Sequence, residues 1–186
     1  MSTAAIKTAS ATLANLQTAY NGERNAHARY IEFARKADAE GYAGVASLFR
    51  AAARAEKIHA ENHAVVIRKM NAQPTARIEA AHVRSTRENL MAAIEGETYE
   101  RDVMYPGFVK IAKAEKNSSA VWTFDLAMAA EAEHAKLYTN ASENQDSLKA
   151  AKDFYVCTVC GYTVAKIDFD KCPACKNPKE KYEKVV

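Results

Sequence analysis

The strongest constraint on how this chain can fold is a repeat. Gly22-Glu23 recurs as Gly96-Glu97, 74 residues on, and Ala55-Glu56-x-x-His59-Ala60 recurs as Ala130-Glu131-x-x-His134-Ala135, 75 residues on. Two motifs repeating at nearly one offset make the chain two copies of a helical pair. Residues three apart lie on one helical face about a turn apart, so each Glu-x-x-His aims a carboxylate and an imidazole the same way.

The surrounding sequence supports helices. From Ala4 to about Ser147 it is rich in Ala, Glu, Lys, Arg and Leu, with apolar residues at 3-4 spacing. Breaks fall at "AEGYAG" (39–44), at "NAQPTARIEAAHVRST" (71–86), which opens near Pro74, and at "EKNSSA" (115–120). Four helices are predicted, over roughly 8–40, 44–71, 86–114 and 119–145, with a bend at Pro106, which removes a backbone hydrogen bond. Two tight loops and one long crossover between the second and third helices give the connectivity of a ferritin-like four-helix bundle. The bundle is expected over 1–148 and a separate cysteine unit over 152–186.

The apolar stripes carry charges. Leu16, Ala19, Tyr20, Glu23, Ala26, Tyr30 and Phe33 share a face of the first helix. Leu48, Ala52, Ala55, Glu56, His59 and Val66 share one on the second, and Phe124, Ala127, Glu131, His134 and Tyr138 one on the fourth. The third offers Leu90, Ala93, Ile94, Glu97, Glu100 and Met104, with two carboxylates at i and i+3. One Glu-x-x-His on a Glu-rich helix is ordinarily a solvated face. Two in register, with further carboxylates on the other two stripes, form the ligand set of di-iron and di-manganese bundles. Each ionised carboxylate left unpaired in a core costs several kcal/mol. The five of Glu23, Glu56, Glu97, Glu100 and Glu131 are nearly balanced by two divalent cations, +4 against −5. Oxygen ligands with two imidazoles suit iron or manganese. His27, His63 and His82 have no partner at matching spacing and are read as surface or supporting residues. Tyr30 and Tyr105 are core aromatics or neighbours of the metals, and Trp122 and the methionines are read as packing.

All four cysteines lie in "CTVCGYTVAKIDFDKCPAC", as two Cys-x-x-Cys hooks eleven residues apart. Confined to one end of the chain, they are no disulfide framework of a secreted fold. Cys157, Cys160, Cys172 and Cys175 instead close a tetrahedral site for zinc or a single iron. Gly161 supplies the turn, Lys176 stands where a second glycine would serve the other hook, and the charged end "KNPKEKYEKVV" reads as a solvated edge. The 26 basic and 23 acidic residues give a net charge of +3 without a basic block, so no nucleic-acid footprint is present. No run is long and apolar enough for a signal peptide or a membrane span, so a soluble, cytoplasmic protein is expected.

The segments "GERNAHARYIEFARKADAEGY", "AEKIHAE", "ENLMAAIEGETYERDVMYPGF", "AEAEHAKLY" and "YVCTVCGY…CPAC", in that order, resemble the rubrerythrin family: a ferritin-like di-iron domain followed by a rubredoxin-like domain. The resemblance implies that Glu23, Glu56, Glu97, Glu100, Glu131, His59 and His134 hold two irons, which an oxide can bridge, with Glu56 and Glu131 bridging. It implies a mononuclear iron at the four cysteines, a ligand exchange between His59 and Glu100 on oxidation, and site roles for Tyr30 and Tyr105. The implied activity is a peroxidase that reduces hydrogen peroxide to water, with electrons crossing between subunits of a head-to-tail homodimer. No dinucleotide fingerprint is present, so the donor is a separate NAD(P)H-linked protein. A ferroxidase or oxidase bundle with a zinc-binding tail is the alternative.

Overall fold

The computed structural model describes residues 10–186. Four long helical stretches pack as a bundle: α1 (Ala11–Ala39), α2 (Ala43–Lys69), α3 (Thr86–Tyr99) continued through a π-helical turn (Glu100–Met104) into α4 (Tyr105–Ala114), and α5 (Ser118–Glu143). The expected start of the first helix at residue 8 lies outside the described residues. Caps explain several boundaries. Ser10 accepts from the Leu13 N–H, Asn117 accepts from the Ala120 N–H, and Ser85 and Glu88 form a reciprocal capping box. Gly41, Asn71 and Lys116 end α1, α2 and α4 with left-handed backbone, φ 81°, 59° and 57°.

The third helix departs from expectation. A bend at Pro106 was predicted, but the irregularity is the π-turn just before it, closed by the Tyr105 N–H donating to the Glu100 carbonyl. The extra residue in that turn changes the angular step after Glu100, and Pro106 falls in the first turn of α4, where its missing N–H is harmless.

The crossover, residues 70–85, lies along α1 and is tied to it by side-chain amides at four-residue spacing. Gln17 donates to the Gln73 carbonyl (2.6 Å) and accepts from the Thr75 N–H (3.1 Å). Asn21 accepts from the Arg77 N–H (2.8 Å), while Asn25 donates to the Arg77 carbonyl (2.9 Å) and accepts from the Glu79 N–H (2.8 Å). Every second residue of an extended chain thus meets every turn of a helix, which satisfies backbone groups that have no sheet partner.

Two apolar clusters fill the bundle. One gathers Tyr30, Phe33, Phe49, Leu90 and Tyr138; the other gathers Leu16, Ile67, Tyr105, Val109 and Phe124. Along each helix the stripe carboxylates fall between them, so a polar layer crosses the core. Trp122 is not packed as expected: it is 51% exposed.

The C-terminal segment forms a three-stranded antiparallel sheet of order β2-β1-β3, with β1 (Phe154–Cys157), β2 (Thr163–Val164) and β3 (Tyr182–Val185). The charged end, expected as a solvated edge, supplies β3, with Tyr182 opposite Cys157 and Val185 opposite Phe154. Leu148, Phe154 and Val156 are buried in the same cluster as Phe49, so the sheet is packed on the bundle. Gly44 allows the connection to lie close: its N–H donates to the Leu148 carbonyl (2.9 Å), and a Cβ there would stand 2.7 Å from the Ala150 carbonyl oxygen. Among the described residues no helix is long and apolar enough to cross a membrane.

Candidate metal centres

Four helices bring six of the seven expected bundle residues together. Ligand atoms of Glu23, Glu56, His59 and Glu131 lie within 4.8 Å of one another, and so do those of Glu56, Glu97, Glu131 and His134. Glu56 and Glu131 belong to both groups, as the bridging assignment requires. His59 Nδ1 is 2.9 Å from Glu56 and 3.0 Å from Glu131; His134 Nδ1 is 2.9 Å from Glu131 and 3.5 Å from Glu56. The approximate two-fold relation of the repeat thus survives in space.

Glu100 stays outside both groups. Glu100 opens the π-turn, yet its own N–H still bonds to the Gly96 carbonyl and its backbone is helical, φ −63° and ψ −45°, so it stays one turn on from Glu97 and it is the side chain that stands apart. It remains close enough that burial, with the charges of Glu23, Glu131, Glu97 and Glu56, raises its carboxyl well above the usual range. The converging carboxylates therefore number four, and two divalent cations balance them, +4 against −4.

The six groups suit a metal pair better than they suit one another. Burial raises all four carboxyls. The nearby imidazoles of His59 and His63 outweigh it at Glu23, and those of His59 and His134 outweigh it at Glu131, so both end below their ordinary values. Glu56 ends above its ordinary value through burial and the Glu131 charge, and Glu97 is pushed up to about 8 by burial and Glu56. Buried Glu23 Oε2, Glu56 Oε1, Glu97 Oε2, both Glu131 oxygens and His134 Nδ1 have no hydrogen-bond partner. Orphaned acceptors on facing groups are what cations would satisfy.

The tail orients both imidazoles. His59 Nε2 donates to the Cys160 carbonyl (3.0 Å). Thr163 Oγ1 gives its proton to the Gly161 carbonyl (2.9 Å), so it accepts from His134 Nε2 (3.1 Å). With both Nε2 atoms protonated, both Nδ1 lone pairs are left for metal, the arrangement in which an outer hydrogen bond sets the tautomer of a ligand. Gly161 makes the approach possible. Its φ is +77°, and a Cβ on it would collide with His59 Nε2 and come within 2.8 Å of His59 Cδ2 and 3.2 Å of the Ala55 carbonyl oxygen. Asn62 donates to the Val159 carbonyl (2.9 Å), Tyr162 to Glu133 (3.2 Å), Arg50 Nε to the Val186 carbonyl (2.7 Å), and Arg54 pairs with Glu183. These contacts join tail and cluster within one chain, where the resemblance implied a path between two.

Both expected tyrosines face the cluster. Tyr30 donates to Glu97 (2.6 Å) and Tyr105 donates to Glu23, each fully buried. His63, read from the sequence as surface or supporting, is buried in this network. Its Nδ1 faces Thr123 Oγ1 at 3.0 Å, and its Nε2 faces the Tyr105 hydroxyl at 3.1 Å. Because the Tyr105 proton goes to Glu23, His63 Nε2 is the donor to Tyr105 and Nδ1 accepts from Thr123. This one-way chain crosses all four helical stretches. The signal was present in the sequence, since Glu56, His59 and His63 at i, i+3 and i+7 share a face. His82 is exposed, and His27 is tied to the Ala53 carbonyl at 2.6 Å.

The four cysteine sulfurs meet beside this cluster. Cys157 and Cys175 are 3.7 Å apart and Cys160 and Cys172 3.6 Å, close to the roughly 3.8 Å edge of a tetrahedron with metal–sulfur bonds of about 2.3 Å. The neighbouring sulfurs of Cys157 and Cys160 hold the Cys172 thiol far below its ordinary range against the effect of burial, and the Tyr182 hydroxyl adds to them. Lys176, noted for replacing a glycine, still takes left-handed backbone, φ 60°, and its Nζ donates to the Pro173 carbonyl (2.7 Å).

Comparison with known proteins agrees with this geometry. Nigerythrin of Nitratidesulfovibrio vulgaris is 40% identical over 174 residues, 92% of this chain and 85% of that protein. Rubrerythrin-2 of Clostridium acetobutylicum is 37% identical over 175 residues, 90% and 93% of the two chains. The solved structure of fully reduced, all-ferrous nigerythrin superimposes with a TM-score of 0.86 at 37% identity, covering 99% of this chain and 91% of that one. A bacterioferritin of Desulfovibrio desulfuricans shares the bundle fold, with a TM-score of 0.68 at 22% identity. The bundle carries a ferritin-like di-iron site and the tail a four-cysteine rubredoxin-like site. With the rubrerythrin model matching residues 14–142 and the model of its rubredoxin-like domain matching 155–183, the chain belongs to the rubrerythrin family.

Proposed function

We propose that this protein is a cytoplasmic non-haem peroxidase, reducing hydrogen peroxide with two electrons and two protons to two waters, and that its electrons enter at Cys157, Cys160, Cys172 and Cys175 from a separate NAD(P)H-linked protein. The observation that carries this reading is the hydrogen bond from His59 Nε2 to the Cys160 carbonyl, 3.0 Å long, which links a cysteine of one centre to an imidazole of the other. A bundle that only oxidised or stored iron has no need of that link. Bound at these residues, iron supplies one-electron chemistry at the cysteines and a two-electron reservoir at Glu23, Glu56, His59, Glu97, Glu131 and His134.

The side chains do the rest. Glu56 and Glu131 would lie between the two metals, with His59 and Glu23 to hold one and His134 and Glu97 to hold the other. Glu100, outside both groups, would be the reserve carboxylate, able to offer a negative charge where His59 offers a neutral nitrogen. Tyr30 and Tyr105 hold protons on their hydroxyl oxygens against Glu97 and Glu23, and burial keeps both phenols protonated. The apolar clusters on either side exclude water. A homodimer that exchanged tails would make the same contacts between chains.

The test is anaerobic stopped-flow on fully reduced, iron-loaded protein, following the visible absorption of the ferric thiolate site. Rapid recolouring with hydrogen peroxide and slow recolouring with dioxygen is the expected result. Faster recolouring with dioxygen overturns it in favour of a ferroxidase or oxidase, and an iron-loaded sample without colour places zinc at the cysteines.

A further inference from the structure

We propose that Tyr182 sets the reduction potential of the four-cysteine site by donating its hydroxyl proton to the sulfur of Cys172. The phenol oxygen lies 3.2 Å from Cys172 Sγ, well within hydrogen-bonding distance for sulfur. Among the described residues the only other side-chain donor from outside the four cysteines is the Asn177 amide, 3.4 Å from Cys175 Sγ. A tyrosine hydroxyl facing a metal-bound thiolate has one role available, that of donor.

The ring is held from several sides. Tyr182 opens β3 opposite Cys157, its ring lies 5.4 Å from that of Phe169 at 56°, and the strand and the residue after it are tied to α2 through Arg54–Glu183 and Arg50 to the Val186 carbonyl. Cys172 is fully buried, so little solvent competes for its sulfur. The hydroxyl is therefore a fixed dipole with its positive end on the sulfur.

The direction follows from charge. One electron, from dithionite in the assay, converts the ferric thiolate site of net charge −1 into the ferrous one of −2; no bond to sulfur breaks and the proton stays on the Tyr182 oxygen. The more negative sulfur takes the hydrogen bond more strongly, so the hydroxyl favours the reduced form and raises the potential. Tyr182 acts through Cys172 and is a positioning residue for charge. This inference rests on iron at the cysteines, and on nothing about peroxide.

The experiment is a spectroelectrochemical titration of full-length, iron-loaded wild type and Tyr182→Phe. The ring and its packing on Phe169 are kept and only the hydroxyl is lost. The reduction equilibrium is expected to fall about tenfold, a potential about 59 mV lower for one electron, with an unchanged melting temperature. An unchanged or higher potential overturns the proposal. If Tyr182→Phe fails to fold or load, the wild type loaded with cadmium-113 decides: a hydroxyl proton correlated with the metal across the O–H···S contact supports the assignment, and its absence overturns it. A colourless iron-loaded wild type would refute iron at the cysteines instead, which is a separate failure.

Discussion

Replacing Gly161 by alanine tests whether the hook is seated on the bundle as closely as described. Two costs add. Alanine at φ +77° meets the left-handed penalty, about 1 kcal/mol. Its Cβ also runs into the His59 ring and stands 3.2 Å from the Ala55 carbonyl oxygen, which is backbone of α2 and cannot swing away. Overpacking of that kind costs typically 1–3 kcal/mol. Gly41 provides the control: it has φ +81° and nothing within 4 Å of an added Cβ, so Gly41→Ala meets the first cost alone. In a chain of this size 1 kcal/mol moves the melting temperature by roughly 2–4 °C. Gly41→Ala should lower it by about that much, and Gly161→Ala by two to four times as much at matched metal content. Relief of the clash moves the Cys160 carbonyl off His59 Nε2, so recolouring of the reduced Gly161→Ala protein by peroxide should also slow. Equal destabilisation by the two substitutions would refute the close approach.

Lys176→Gly should raise the melting temperature by roughly 2–4 °C, since it relieves left-handed backbone, about 1 kcal/mol. His63→Leu should destabilise the protein by roughly 1–3 kcal/mol in urea denaturation, because Thr123 and Tyr105 lose their buried partner. In a double-mutant cycle with Thr123→Val the two losses should be strongly non-additive, whereas additive losses would mean that no relay exists. Glu40 accepts from the Thr86 N–H at the start of α3, and Glu115 from the Ser10 hydroxyl and the Thr12 and Ala11 N–H groups at the start of α1; each carboxyl is lowered from 4.5 to about 2. A lowered folded-state value means stability that is present above pH 4.5 and lost as pH falls towards 2. Melts of the Glu40→Gln/Glu115→Gln variant should therefore lose less than wild type between pH 5 and pH 3. Metal-stripped protein should melt below loaded protein and lose stability as pH rises from 4.5 to 8, the interval over which Glu97 holds its proton folded and loses it unfolded.

Much of this was legible in the sequence. Helical period, the 74- and 75-residue repeat and the Glu-x-x-His spacing are local properties, set by backbone geometry within a few turns. They determined the bundle, the long crossover, the ligand-bearing faces of Glu23, Glu56, His59, Glu97, Glu131 and His134, and the four-sulfur hooks. What a spacing rule cannot see is a change in the spacing itself. The π-turn from Glu100 shifts the residues that follow it, and the Glu100 side chain lies outside the cluster that Glu97 joins although the backbone between them is regular. His63 carried the right periodicity but no motif; only its meeting with Tyr105 and Thr123, from two other helices, made it part of the network. The seat of the tail was decided by tertiary structure alone. It depends on Phe154 and Val156 finding the Phe49 cluster, on Gly161 clearing His59, and on Cys160 and Thr163 accepting the imidazole protons. Those pairs are separated by up to about a hundred residues, and no local pattern encodes which of two apolar surfaces will cover the other. The sequence by itself determined which residues could hold metal; packing decided which lone pairs they present and what links the two centres.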